Sequence, residues 1–222
     1  MILGFDTATS RVVVGVASVD GEPLAMATWP AGHRHGELLL PSIGRLLDEA
    51  GVARSELGGI VIGTGPGAFT GLRVGLATAK ALAHGLARPI AGIPTSEALI
   101  AAATAAAGIP EASVVLLLPA GPSDRVVARL GAPPRRLAAG DEPNLGDGDV
   151  LVAVDLADRA PLDAVARGER ALEGLGPALL RLGAARLGAG GDDLERLVPE
   201  YVTLPRGVAV AAGEVSWSRD PR

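Results

Sequence analysis

The hydrophobic pattern of the first hundred residues switches from strand-like runs to the helical period and then alternates, and few folds accommodate that order. Ile2–Phe5 is a short apolar run, and residues 6–10 supply turn chemistry. Arg11–Val19 carries Val at 12, 13, 14, 16 and 19, a β-branched density that predicts a strand buried on both faces. Asp20-Gly21 signals a hairpin whose return strand is Pro23–Trp29. After a loop over Pro30–Arg34, Leu39, Ile43, Leu46, Leu47 and Ala50 recur at helical spacing from Gly36 to Ala50, with Gly51 as the C′ residue. Ile60–Ile62 is a buried strand, and the Gly-rich stretch Gly63–Gly71 leads into a helix over Thr70–Leu86. Ile90–Ile93 is a further strand, and Thr95 caps a helix running to Ala107.

This β-β-β-α-β-α order joins an antiparallel meander to parallel βαβ units, the plan of the ribonuclease-H-like domain of actin, Hsp70 and sugar kinases. Gly108-Ile109-Pro110 breaks the pattern, and a domain boundary is placed there. The second half reads as strands at Val114–Leu118, Val126–Leu130 and Leu151–Val154, an acidic loop over Asp141–Asp149, and a helix over Pro177–Leu187. The expected organisation is an α/β chain of two actin-like (ASKHA) domains, the second reduced. Residues 1–107 form the first, 108–201 the second, and 202–222 a tail or strap.

Composition narrows the function classes. At 222 residues and 48% hydrophobic, the chain can bury a core, which excludes a disordered protein. With no cysteine it has no disulfides, thiol nucleophile or Cys-ligated zinc. The start lacks a basic n-region, and the apolar stretch Ala98–Ile109 is too short to span a bilayer, so a cytoplasmic protein without membrane association is expected. A net charge of −5 leaves no excess of cations for a phosphate backbone, and 2% aromatics are too few for a reader that stacks bases. Autonomous nucleic-acid binding is not expected.

Several residues are candidates for chemistry. In Gly63–Gly71, glycines after a strand and before a helix aim backbone N–H groups and the positive helix end at a possible anion, with Gly65 and Gly67 as possible nucleotide-binding residues. The stretch fits G-x-G-x-x-G/A formally, but Ala83-His84 stands where a dinucleotide fingerprint needs an acidic residue. No Gly-Lys-Ser/Thr follows, so it is not a Walker loop. The alternative is a structural turn that sets up close helix packing. Asp6 and Thr7 occupy the place of the first phosphate loop and metal-coordinating Asp of an actin-like fold, although that loop has no glycine; a solvated turn is the competing reading. Gly71, Gly75, Ala79 and Ala83 form a four-residue ridge that allows another backbone to approach, inside the domain or from a partner. The partner reading is preferred, because Leu72, Leu76 and Leu86 already supply a core face. His33, His35 and Glu37 lack the spacing of a metal motif, His84 suits a helix end, and the pairs Asp192-Asp193 and Asp141-Glu142 read as solvated loop charges. No metal site is expected.

Three motifs in order carry a resemblance: Ile-Leu-Gly-Phe-Asp-Thr-Ala-Thr over 2–9, His-Gly-Glu-Leu-Leu-Leu-Pro over 35–41, and Gly-Pro-Gly-Ala-Phe-Thr-Gly-Leu-Arg over 65–73 followed by Ala79-Lys80. The chain resembles the TsaB (YeaZ) family, strongly over residues 1–100 and weakly over 107–198. A faint echo of the family's Pro-x-Tyr-Leu-Arg ending stands at Pro199–Val202. Residues 119–125 depart from the family's Asp-Ala-Arg segment.

The resemblance implies a non-catalytic accessory subunit of N6-threonylcarbamoyladenosine synthesis in tRNA. Its implied partners are a TsaD-type transferase and a TsaE-type ATPase, with a homodimer when alone and tRNA met only through the complex. ATP and Mg would be used by the complex, with no cofactor held tightly by this chain. The expected docking surface is helix 36–50 with helix 70–86, through His35, Leu39, Ile43, Gly71, Gly75 and Ala79, with Arg73 as a polar anchor. The competing reading is an ATP-binding phosphotransferase of the actin-like fold that holds Mg-ATP with Asp6, Thr7 and the 63–71 loop. It needs an Asp-x-Gly loop in the second domain, which Val114–Arg125 lacks.

Overall fold

The computed structural model describes residues 1–31 and 35–202, with the side chain of His35 outside that description. Alternation along the first strands builds two opposite core faces. In β1 (Ile2–Asp6), β2 (Arg11–Ala17) and β4 (Gly59–Gly63), Leu3, Phe5, Val12, Val14, Val16, Ile60 and Ile62 point to one side. Ile2, Val13, Ala17 and Val61 point to the other. With β3 (Pro23–Pro30) and β5 (Ile90–Ile93) these strands form a sheet of order β3-β2-β1-β4-β5, antiparallel from β3 to β1 and parallel from β1 to β5. Helices α1 (His35–Glu49) and α2 (Phe69–Leu86) cover the first face. The hairpin turns earlier than its valines suggest: β2 ends at Ala17, and Val19 lies exposed in a turn closed by the Ser18 N–H bond to the Glu22 carbonyl.

The second sheet repeats the plan in reduced form, in the order β8-β7-β6-β9. It comprises β6 (Val114–Ala120), β7 (Asp124–Arg129), β8 (Ala132–Leu137) and β9 (Val150–Ala153). Sequence reading misses β8 because of Pro133 and Pro134; as an edge strand, it tolerates residues that donate no ladder bond.

Between the sheets lie α3 (Thr95–Ala107) and α4 (Leu162–Gly188), and they exchange sides. Helix α3, from the first half, packs on β6 and β7; α4, from the second half, packs on β1, β2 and β4 as well as β9. One core cluster runs from Ile2 and Val61 through Leu99 and Leu179 to Leu116 and Val152, so the boundary at 107/108 separates the sheets without separating the core. The expected helix over 177–187 is the last part of α4, which starts fifteen residues earlier. Its glycines are where it touches the sheets. A Cβ on Gly168 would overlap the Ala153 carbonyl, on Gly176 the Met26 side chain, and on Gly183 the Val61 side chain. No helix among the described residues is long and apolar enough to cross a membrane.

Candidate functional site

The parallel strands β1, β4 and β5 end together at Asp6, Gly63 and Ile93, and the crevice beyond their carboxyl ends is where open α/β sheets hold ligands. Asp6 is fully buried there. Its Oδ1 accepts the Ala8 N–H (2.7 Å), and its Oδ2 accepts the Thr95 hydroxyl (2.6 Å). Thr95 in turn accepts the Gly65 N–H (3.0 Å). Burial pushes the Asp6 carboxyl above its usual range, with the bonds from Thr95 and Ala8 opposing the shift. The Thr7 hydroxyl donates to the Gly71 carbonyl (2.7 Å), and the Ala68 N–H donates to the Ala8 carbonyl (2.7 Å).

Asp6, Thr7, Gly65 and Gly67 are therefore brought together, but the Asp6 carboxylate, the Thr7 hydroxyl and the Gly65 N–H are engaged within the chain, and Gly67 lies against the Ala8 carbonyl. A Cβ on Gly63 would overlap the Asp6 carboxylate, on Gly67 the Ala8 carbonyl, and on Gly71 the Thr7 carbonyl. The glycines admit the chain's own oxygen atoms, which would repel an anion. Of the two readings of this loop, the geometry favours the packing turn.

The small-residue ridge follows the same logic. Gly71, Gly75, Ala79 and Ala83 face inward, and Gly75 lies against Thr7 and Ile62. Leu39 and Ile43, at 1% and 3% exposure, belong to the core under α1. The expected docking contacts Leu39, Ile43, Gly71, Gly75 and Ala79 are thus corrected to interior residues, since the ridge serves close approach of α2 to β1 and β4. Arg73 is exposed, and the side chain of His35 lies outside the described residues, as do His33 and the tail over 203–222.

What the two helices do present outward is Leu38 (39% exposed) and Leu40 (52%) on α1, with Arg73 and Ala77 on α2. A groove of about 290 Å³ beside α1 is lined by Ala27, Trp29, Leu38, Leu46, Arg45 and Glu49 among others. The signal for this surface was in the sequence. Of the triplet Leu38-Leu39-Leu40, only Leu39 is in phase with Ile43, Leu46 and Leu47.

The last described residues cross the crevice as a strap. Asp192 bridges to Ile90 and its carboxylate accepts the Gly92 N–H (2.9 Å), while Arg186 holds the same carboxylate and draws it below its usual value. Leu197 fills the space that a side chain at Gly92 would take. The Glu200 N–H donates to the Thr64 carbonyl (2.8 Å), and the Tyr201 ring packs on Phe69 with centroids 5.2 Å apart. Asp192 is therefore a structural partner, whereas Asp193 stays on the surface with Arg196. In the divergent 119–125 segment, Arg125 is buried and ties β7 to the carbonyls of Asp141 and Arg159 and to Glu142. Among the described residues no three His, Asp or Glu side chains converge.

The family model for TsaD, tRNA N6-adenosine threonylcarbamoyltransferase, matches residues 30–137. An uncharacterized protein of Mycobacterium leprae is 40% identical over 102 residues, 45% of this chain and 28% of that protein. A tRNA N6-adenosine threonylcarbamoyltransferase of Syntrophobacter fumaroxidans is 36% identical over 94 residues, 42% of this chain and 28% of that enzyme. The chain thus spans little more than a quarter of the length of these two curated relatives. Among solved structures, YeaZ from Pseudomonas aeruginosa aligns with a TM-score of 0.67 at 24% identity, covering 90% of this chain and 98% of that one, so the two share a fold.

Proposed function

We propose that this chain, whose three motifs and fold support its assignment to the TsaB/YeaZ family, serves N6-threonylcarbamoyladenosine synthesis in tRNA as a non-catalytic subunit. In this reading it binds a TsaD-type transferase and, together with a TsaE-type ATPase, keeps that transferase competent to modify the adenosine beside the anticodon. ATP and Mg are handled by the assembly, tRNA is met through it, and the setting is the cytoplasm. The observation that carries the reading is the contrast between the crevice and the outer helix layer. In the crevice, the Thr7 and Ala8 carbonyls lie against Gly71 and Gly67, and the Gly65 N–H is taken up by the Asp6–Thr95 pair, which supports reading this loop as a packing turn. On the outside, Leu38 lines a groove and Leu40 stands half exposed on the other flank of α1, apolar side chains open to a partner. The docking face is accordingly the outer side of α1 and α2, with Leu38, Leu40, Arg73 and Ala77 replacing the interior residues expected from the sequence. The same face pairs two copies of the chain when the partner is absent.

Sedimentation of the purified chain mixed with its TsaD-type partner, with and without ATP, tests this. A one-to-one complex at micromolar concentration is the expected result. No complex under either condition, with ATP bound by the chain alone, would instead support the phosphotransferase reading.

A further inference from the structure

Most arginines of this protein that are fixed by side-chain bonds face a carboxylate of the same chain: Arg11, Arg129, Arg136, Arg167 and Arg186 each lie within 2.7 Å of one. Arg88 and Arg159 face backbone carbonyls instead, and Arg73 faces neither a carboxylate nor a carbonyl among the described residues. Its guanidinium sits over the Phe69 ring, with Cζ 3.8 Å from the centroid, and its Nε–H donates to the Tyr201 hydroxyl (3.2 Å). Phe69 is braced in turn by the Tyr201 ring. The side chain is exposed, and among the described residues no carboxylate lies within ion-pair distance of it. Of the five N–H donors of a guanidinium, one is used; the four on Nη1 and Nη2 remain, in the planar fork that matches a two-oxygen acceptor.

We propose that Arg73, held in place by Phe69 and Tyr201, is a preset receptor for a carboxylate of the TsaD-type partner, so that the strap builds part of the docking surface. This rests on the docking reading above and names the chemistry of one contact within it. Two observations favour a protein carboxylate over an RNA phosphate. The chain carries a net charge of −5, which disfavours a polyanion, and the Phe69 face that a base would stack on is already covered by Arg73 and Tyr201. An arginine with aromatic neighbours is also the composition of interface hot spots, and fixing its orientation beforehand lowers the entropy lost on binding.

Calorimetric titration of the TsaD-type transferase of the same organism into wild type, Arg73→Lys and Tyr201→Phe tests the assignment, with circular dichroism to verify that each variant folds. Arg73→Lys keeps the charge and loses the fork, so its Kd is expected to rise at least about tenfold. Tyr201→Phe keeps the ring and frees the guanidinium to rotate, so a rise of about threefold is expected. Equal affinity of Arg73→Lys and wild type overturns the inference while leaving the docking reading intact. Loss of affinity for tRNA alone, with transferase binding unchanged, overturns it in favour of a phosphate. No binding by the wild-type chain overturns the docking reading, and this inference falls with it.

Discussion

Replacing Gly75 by Ala should destabilise the fold, and the structure sets the scale. The added Cβ would overlap the Thr7 hydroxyl and come within 3.2 Å of Ile62 Cδ1. Thr7 cannot simply turn away, because that hydroxyl satisfies the Gly71 carbonyl at 2.7 Å in a buried setting. Rotating it leaves a buried acceptor unpaired at about 1–3 kcal/mol, and moving α2 outward costs a similar amount in disturbed packing. Alanine returns about 1 kcal/mol through its helix preference, so the net loss is about 1–2 kcal/mol. Gly85→Ala is the internal control. It sits in the same helix with nothing within 4 Å of the new atom and should gain up to about 1 kcal/mol. Urea unfolding of both variants, and of Gly75→Ala combined with Thr7→Ala, measures the effect; in the double variant the hydroxyl is gone, and the two losses should add to less than their sum. A Gly75→Ala variant as stable as Gly85→Ala would refute the inward placement of the ridge and restore it as a docking face.

Three further outcomes follow from the geometry. Burial first, and the nearby Glu97 second, raise the Glu200 carboxyl above its usual 4.5, so its contribution to stability is full below that value and is lost as pH rises through the raised one. Glu200→Gln should therefore raise Tm at pH 7, with the gain vanishing near pH 4. Asp149 behaves oppositely: the Arg129 guanidinium and the Gly146 N–H hold its carboxyl down at about 2, so its contribution is present above the usual 3.8 and is lost as pH falls toward 2. Asp149→Asn should remove that acid-sensitive step from a Tm–pH profile. Leu40→Glu lies on the exposed side of α1, so unfolding should shift by no more than about 0.5 kcal/mol while sedimentation shows the complex with the TsaD-type partner lost.

The first sheet was legible because its signals are local. Valine density along β2, the Asp20-Gly21 turn and the period of α1 and α2 each depend on residues within one element. The features that escaped depend on neighbours far along the chain. The first fifteen residues of α4, with Gly168 and Gly176, escape the helix expected over 177–187, and what admits those glycines is the close approach of Ala153 and Met26. The Gly71–Ala83 ridge has one sequence pattern for two settings, and only the position of Thr7 decides between them. Asp6, read as a phosphate-loop carboxylate or a solvated turn, is instead buried, and its partner Thr95 lies four strands and two helices further along the chain, so the hydrogen-bonded chain that closes the crevice has no local sequence signal. The strap shows the reverse. Tyr201, within the Pro199–Val202 echo, meets an aromatic and a cation that stand together at 69 and 73.

The exchange of α3 and α4 between the sheets has a consequence for the order in which the protein can mature. On the ribosome, residues 1–107 emerge with all five strands of the first sheet and the two helices for its outer face. The inner face, with Ile2, Val13, Ala17 and Val61, waits for Leu179, Leu180 and Gly183 near the end of synthesis. An early-made half is left with an uncovered apolar sheet throughout that interval, and a fragment cut at 107 would keep it permanently. The amino-terminal half of the molecule is a dependant of its own final helix.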